Sequence, residues 1–188
     1  EYSLGRPSKD GNTLPALCGG SISLFIKPYN VRDHLVIVGA GHVGEKLAKM
    51  ASILEYNITV VDDREERLNR QIFTGEENLM LGDIVENLKK IHIDNNTYIV
   101  IVTYAHFHDQ RALETVLRSN ARYIGVIGSS NKVKTCINTL LKKGYSKEEI
   151  EKVYTPIGLD LGGESPEEIA LGILAEMQAV KYNKAVPH

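Results

Sequence analysis

Residues 34–64 read HLVIVGAGHVGEKLAKMASILEYNITVVDDR, and the fold turns on this stretch. Residues 35–38 are a short, β-branched apolar run, the pattern of a strand buried on both faces. Gly39, Gly41 and Gly44 follow at G-x-G-x-x-G spacing. From Val43 a helical period puts Leu47, Met50, Ala51 and Leu54 on one face. The chain turns at Tyr56 and Asn57, runs through a second strand at 58–61 and ends in Asp62, Asp63 and Arg64.

Each part of this unit has a physical task. Gly39 permits the tight turn out of the strand, Gly41 lets backbone N–H groups approach a phosphate, and Gly44 lets the helix sit against the strand. The helix start adds unpaired donors and partial positive charge. Asp62, 23 residues after Gly39, stands where a carboxylate can accept ribose hydroxyls. Strand, glycine turn, helix, strand and terminal acid together predict a Rossmann-type unit.

Outward from this unit, strands and helices continue to alternate. Strands are expected at 79–81, 98–102, 123–127 and 151–154. Helices are expected at 65–70, 84–90, 110–119 and 132–142, and from Pro166, where Ser165 and Glu168 form a capping box. Ile169, Ile173, Met177 and Val180 share a face of that last helix. The alternation predicts an α/β fold, a Rossmann-like doubly wound parallel sheet over 31–188. Residues 1–30 read as a short N-terminal extension: a Gly-, Pro-, Ser- and charge-rich arm to Leu17, then Cys18-Gly19-Gly20 and a strand over 21–26.

Composition narrows the class. At 188 residues, 43% of them hydrophobic and 24% charged, the chain can bury a substantial core and matches an ordinary soluble globular protein. A net charge of −2 gives no electrostatic reason to expect nucleic acid or an anionic membrane. No apolar run approaches the ~20 residues of a membrane span. No signal peptide is legible, and the sequence opens on Glu1, as a chain lacking its natural start would. Cys18 and Cys136 form no CxxC, which argues against a disulfide framework or a cysteine zinc site and for a reducing, cytoplasmic setting.

A doubly wound sheet gathers its binding loops along the carboxyl edge. His42 lies in the glycine turn, as a donor or general acid to whatever the loop holds, or as a solvent-facing helix start. Arg64 could meet a phosphate or pair with a neighbouring acid. The densest reactive cluster is Thr103-Tyr104-Ala105-His106-Phe107-His108-Asp109. Its two histidines and carboxylate raise a metal site, but no third histidine follows and Asp109 suits a helix cap, so no metal is expected. His106 remains for ligand contact or proton transfer. Gly128, Ser129 and Lys132 bring donors, a hydroxyl and a cation to a second strand-to-helix turn. Asp160, in the glycine-rich loop at 156–163, is available to a polar ligand.

These loops together resemble the XdhC/CoxI family, accessory proteins of molybdenum hydroxylases of the xanthine dehydrogenase type. The resemblance covers 34–180 and rests on GAGHVG at 39–44, VVDDR at 60–64, T-x-x-H-x-x-D at 103–109, YIGVIGS at 123–129 with Lys132, and PIGLDLGGESPEEIALGILAE at 156–176. It implies a Rossmann-type protein that binds the molybdenum cofactor (molybdopterin), supports its sulfuration with a cysteine desulfurase and delivers it to the hydroxylase. It also implies a homodimer and a chaperone rather than a catalyst. The sequence departs from the family pattern at Ser130 and Asn131, where arginine is common, at Tyr104, where some members carry histidine, and in its short N-terminal module. Two rival functions stand beside this one: an NAD(P)-dependent oxidoreductase with His106 or His42 as acid/base, and an NAD-sensing regulatory domain. Against the oxidoreductase, no Tyr-x-x-x-Lys pair occurs and no separate substrate domain is legible.

Overall fold

The apolar runs become strands of one parallel sheet. A computed structural model describes residues 2–4, 13–14, 20–22, 25, 32–128 and 130–185, with the backbone alone at 2–4, 13–14, 20–22, 130–132 and 134. The chain divides into two units, Glu1–Val31 and Arg32–His188. In the first, β1 (Tyr2–Leu4) runs parallel to β2 (Thr13–Leu14) and antiparallel to β3 (Gly20–Ile22). Two short strands thus fall where an arm was expected. The strand expected over 21–26 is present as far as Ile22; Phe25 is exposed and belongs to no strand, and Cys18 lies outside the described residues.

The second unit runs β4 (His34–Val38), α1 (His42–Ile53), β5 (Asn57–Asp62), β6 (Asn78–Leu81), α2 (Ile84–Leu88), β7 (Thr97–Ile101), α3 (His106–Val116), β8 (Tyr123–Val126), α4 (Ser130–Lys142), α5 (Lys147–Ile150), β9 (Val153–Tyr154) and α6 (Pro166–Lys181). Its strand order is β6-β5-β4-β7-β8-β9, every neighbouring pair parallel. This is the doubly wound order, and it reverses between β4 and β7, where a crevice opens at the carboxyl ends.

Period-two alternation along each strand feeds a separate core on each face. Leu35, Ile37, Val60, Tyr98, Val100 and Tyr123 pack under α1 and α6, with Leu47, Ala51, Ile173 and Met177. Val36, Val38, Val61, Ile99, Ile101 and Val126 pack under the opposite helices, with Leu88, Leu113, Val116 and Leu140. Leu54, expected on the buried face of α1, instead follows the helix as its exposed C-cap.

Three local expectations change. Residues 65–70 form turns rather than a helix. The Asn69 side chain explains this: its amide donates to the Glu65 and Glu66 carbonyls while its Oδ1 accepts from the Gln71 and Ile72 N–H groups. Helix α3 begins at His106 rather than Gln110. Helix α5 is an added element, opened by a full capping box between Ser146 and Glu149.

Candidate functional site

Strand β4 delivers the chain to the switch point, and the turn that follows is set by close approach. Gly39 has φ +118°, and a Cβ there would stand 2.4 Å from the Val102 carbonyl oxygen. A Cβ on Gly44 would stand 2.0 Å from the Gly39 carbonyl oxygen, so the third glycine seats α1 against the turn. Gly41 differs: nothing lies within 4 Å of its missing Cβ, and that side of the turn is open. His42 begins α1, exposed, with Nε2 3.5 Å from the Arg67 guanidinium.

Asp62, at the end of β5, is only 1% exposed and both its oxygens are occupied. Oδ2 accepts from the Ala40 N–H at 2.6 Å and from Arg64 Nη2 at 2.8 Å; Oδ1 accepts from the Arg64 N–H and Nε, each at 2.9 Å. Burial alone would push this carboxyl up. The Arg64 guanidinium and the two backbone N–H groups more than offset it and hold Asp62 below the usual carboxylate value. Arg64 lies 4.1 Å from the centre of the Tyr104 ring. The Tyr104 hydroxyl in turn reaches Asp63 Oδ2 at 3.3 Å and His108 Nε2 at 3.0 Å. Two loops, after β5 and after β7, are thereby fastened together.

Beyond β7 the loop is pinned from inside. Asp109 is 7% exposed, and its Oδ1 accepts from the Thr103 hydroxyl at 2.6 Å and the Thr103 N–H at 3.1 Å. Thr103 Oγ1 also lies 3.0 Å from the Ala105 carbonyl oxygen. Asp109 therefore ties the first turn of α3 back to the end of the strand rather than capping a helix at Gln110. The ring of His106, half-buried at the start of α3, makes no hydrogen bond among the described residues.

Between the loops after β7 and β8 lies a cleft of about 420 Å³, lined by Thr103, Tyr104, His106, Asp109, Gly128 and Ile157 among others. Ile127 and Ile169 supply further apolar wall. A narrow cavity of about 20 Å³ beside it, against Cys136 and Leu140, has room for no more than a water. Another cleft, about 390 Å³, lies away from the glycine turn around Tyr56, Asn57 and Glu77.

One wall of the main cleft is held by a residue that sequence reasoning missed. Glu176 on α6 is fully buried, and its Oε2 accepts from the Tyr123 hydroxyl and from the Gly158 N–H at 3.0 Å. The signal was present: a glutamate one helical turn from Ile173, beside the apolar stripe of the last helix. Burial and the Glu176 carboxylate raise the Tyr123 hydroxyl well above its ordinary value.

The fold thus brings Gly39, Gly41, Gly44, His42, Asp62, Arg64, Thr103, His106, Asp109 and Gly128 to one edge. Asp160 is exposed and turned into its own loop, accepting from the Gly162 N–H at 3.1 Å, and does not line the cleft. Lys132 is described in its backbone alone, within α4, and Ser129 lies outside the described residues. No group of three His, Cys, Asp or Glu side chains suited to a metal occurs among the described residues. Nor is any described helix long and apolar enough to cross a membrane.

Comparison with known proteins adds to this geometry. The uncharacterized protein YqeB of Escherichia coli K12 is 34% identical over 184 residues, 95% of this chain and 33% of its own length. A protein of Bacillus subtilis 168 named as a probable xanthine dehydrogenase subunit is 27% identical over 87% of this chain and 48% of its own. The molybdenum cofactor insertion chaperone PaoD of E. coli K12 is 23% identical over 49% of this chain and 29% of its own. A crystal structure described as a xanthine dehydrogenase from Bacillus halodurans superposes with a TM-score of 0.71 at 26% identity, covering 82% of this chain and 44% of that one. The chain therefore spans from about a third to a half of these relatives. The family model of the XdhC Rossmann domain matches residues 35–177, and the chain belongs to that family.

Proposed function

We propose that this chain is the cofactor-handling Rossmann part of an accessory protein for a molybdenum hydroxylase of the xanthine dehydrogenase type. In this reading it binds the molybdenum cofactor at the carboxyl edge of the sheet. It supports sulfuration of the cofactor together with a cysteine desulfurase, and hands it to the hydroxylase. It acts as a homodimeric cytoplasmic chaperone and not as a catalyst. The names of two relatives, a molybdenum cofactor insertion chaperone and a probable xanthine dehydrogenase subunit, support the assignment.

The observation that carries it is the cleft between the β7 and β8 loops. Its volume of about 420 Å³ falls in the range of small-molecule sites, and its walls combine polar groups on Thr103 and His106 with the flat apolar sides of Ile127 and Ile157. That combination suits a planar, hydrogen-bonding heterocycle such as a pterin. The open side of Gly41 gives a phosphate access to backbone donors. The cargo supplies the molybdenum chemistry of the client enzyme; this chain's residues hold it, orient it and shield it from water.

Anaerobic equilibrium binding of isolated molybdenum cofactor, with NAD(H) and NADP(H) as competitors, tests the reading. Stoichiometric retention of molybdenum that nicotinamide nucleotides fail to displace supports it. Saturable NAD(H) binding with no retained molybdenum would replace it with an NAD(P)-dependent oxidoreductase or an NAD-sensing domain.

A further inference from the structure

A Rossmann edge ordinarily offers two anchoring points, the glycine turn for phosphate and the acid at the end of the second strand for ribose hydroxyls. Here the second point is already filled from within the protein. All four hydrogen bonds to Asp62 come from Ala40 and Arg64, and the carboxylate has 1% of its surface left to a ligand. Arg64 cannot serve in its place: Nε and Nη2 are committed to Asp62, and Tyr104 stacks on the guanidinium from the facing loop. Tyr104 is itself held by contacts of its hydroxyl with Asp63 and His108, a lock that spans the crevice from the β5 loop to α3.

We propose that Arg64 and Tyr104 are specificity-determining residues that make this edge reject adenine dinucleotides anchored through ribose, and leave it to a planar heterocycle seated in the cleft between the β7 and β8 loops. The inference rests on reading that edge as the ligand site. Its physical basis is desolvation. A ribose diol brought to Asp62 meets an acceptor with no free lone pair, and its own hydroxyls would be buried without partners. A 2′-phosphate brought to Arg64 would have to break the bidentate pair and strand a buried carboxylate. The β7–β8 side carries the opposite condition, with the His106 ring half-buried in the cleft wall and making no hydrogen bond among the described residues.

The test is equilibrium binding of NADH and NADPH to the full chain, followed by nucleotide fluorescence, for the wild type and for an Arg64→Met/Tyr104→Ala variant. The wild type is expected to show no saturation up to about 1 mM of either nucleotide. The variant frees the Asp62 carboxylate and is expected to gain NADH affinity by about tenfold or more, a gain that adding Asp62→Asn removes. Wild-type saturation in the micromolar range that Asp62→Asn weakens would overturn the proposal, as would a folded variant with no gain. Should the double variant fail to fold, Arg64→Lys alone is read: it keeps a cation beside Asp62 but gives up the bidentate pair, so a severalfold gain for NADH supports the lock, and no gain in the folded variant overturns it. Because the gain is read with nicotinamide nucleotides, it stands apart from the molybdenum reading. A chain that retains no molybdenum cofactor yet gains NADH affinity on unlocking would overturn the proposed function and leave the lock intact.

Discussion

The two sides of the carboxyl edge are built on opposite terms. On the β4–β5 side the acid and its partners are spent: Asp62 is saturated, Arg64 is bidentate and stacked, and the Ala40 N–H is consumed. On the β7–β8 side Asp109 braces Thr103 while His106 and the Gly128 turn face a cleft. One side has traded binding capacity for rigidity, and the other keeps it. A single loop motif can therefore serve as structure at one end and as a recognition surface at the other.

Breaking the saturated side has the largest expected effect. Arg64→Ala leaves a buried carboxylate with two backbone donors and no counter-charge and should cost about 3 kcal/mol in urea unfolding; a loss below about 1 kcal/mol would sink the claim that the pair is structural. Gly44→Ala forces a Cβ to within 2.0 Å of the Gly39 carbonyl oxygen unless α1 shifts, and should cost about 2 kcal/mol by the same measurement.

Acid sharpens the same contrast. The folded-state value of Asp62 is depressed below its ordinary 3.8, so its contribution is full above that value and is lost as pH falls through the lower folded value. The stability deficit of Arg64→Met should therefore be full near neutral pH and shrink as pH falls through the folded value of Asp62, and a deficit independent of pH would contradict the assignment.

Changes at the open face of the glycine turn and in the β7–β8 cleft should barely touch stability. Gly41→Val and His106→Ala are expected to stay within about 0.5 kcal/mol of the parent. Each should weaken cofactor binding by about tenfold, Gly41→Val by blocking phosphate approach and His106→Ala by removing a contact. Unchanged affinity in a folded variant would remove that residue from the site.

Much of this architecture was legible in sequence, because its signals are local. The apolar runs give the strands, the glycine spacing fixes the switch-point turn, and Ser165 with Glu168 announces α6, where both halves of the capping box form. Ser146 and Glu149 carry the same signature for α5, which length and context had hidden. What escaped was pairing. Asp62 reads as a solvent-facing acceptor because sequence shows the carboxylate but not the guanidinium folded back on it two residues later. Asp109 reads as a cap for the same reason, although its oxygen turns back to Thr103. Asn69 converts an expected helix into turns by satisfying backbone groups that the helix would have used.

The buried carboxylate of Glu176 has a mechanical consequence for the cleft. It bolts the Gly158 amide and the β8 tyrosine to α6, and Leu159 adds a bond from its N–H to the Gly172 carbonyl at 3.1 Å. The wall at 157–159 therefore has no hinge of its own and can swing outward only when α6 peels from the sheet. Deuterium should enter the Gly158 and Leu159 amides at the pace of the α6 amides rather than at that of an exposed loop. The tempo at which a guest leaves this side of the protein is then written in the stability of its last helix.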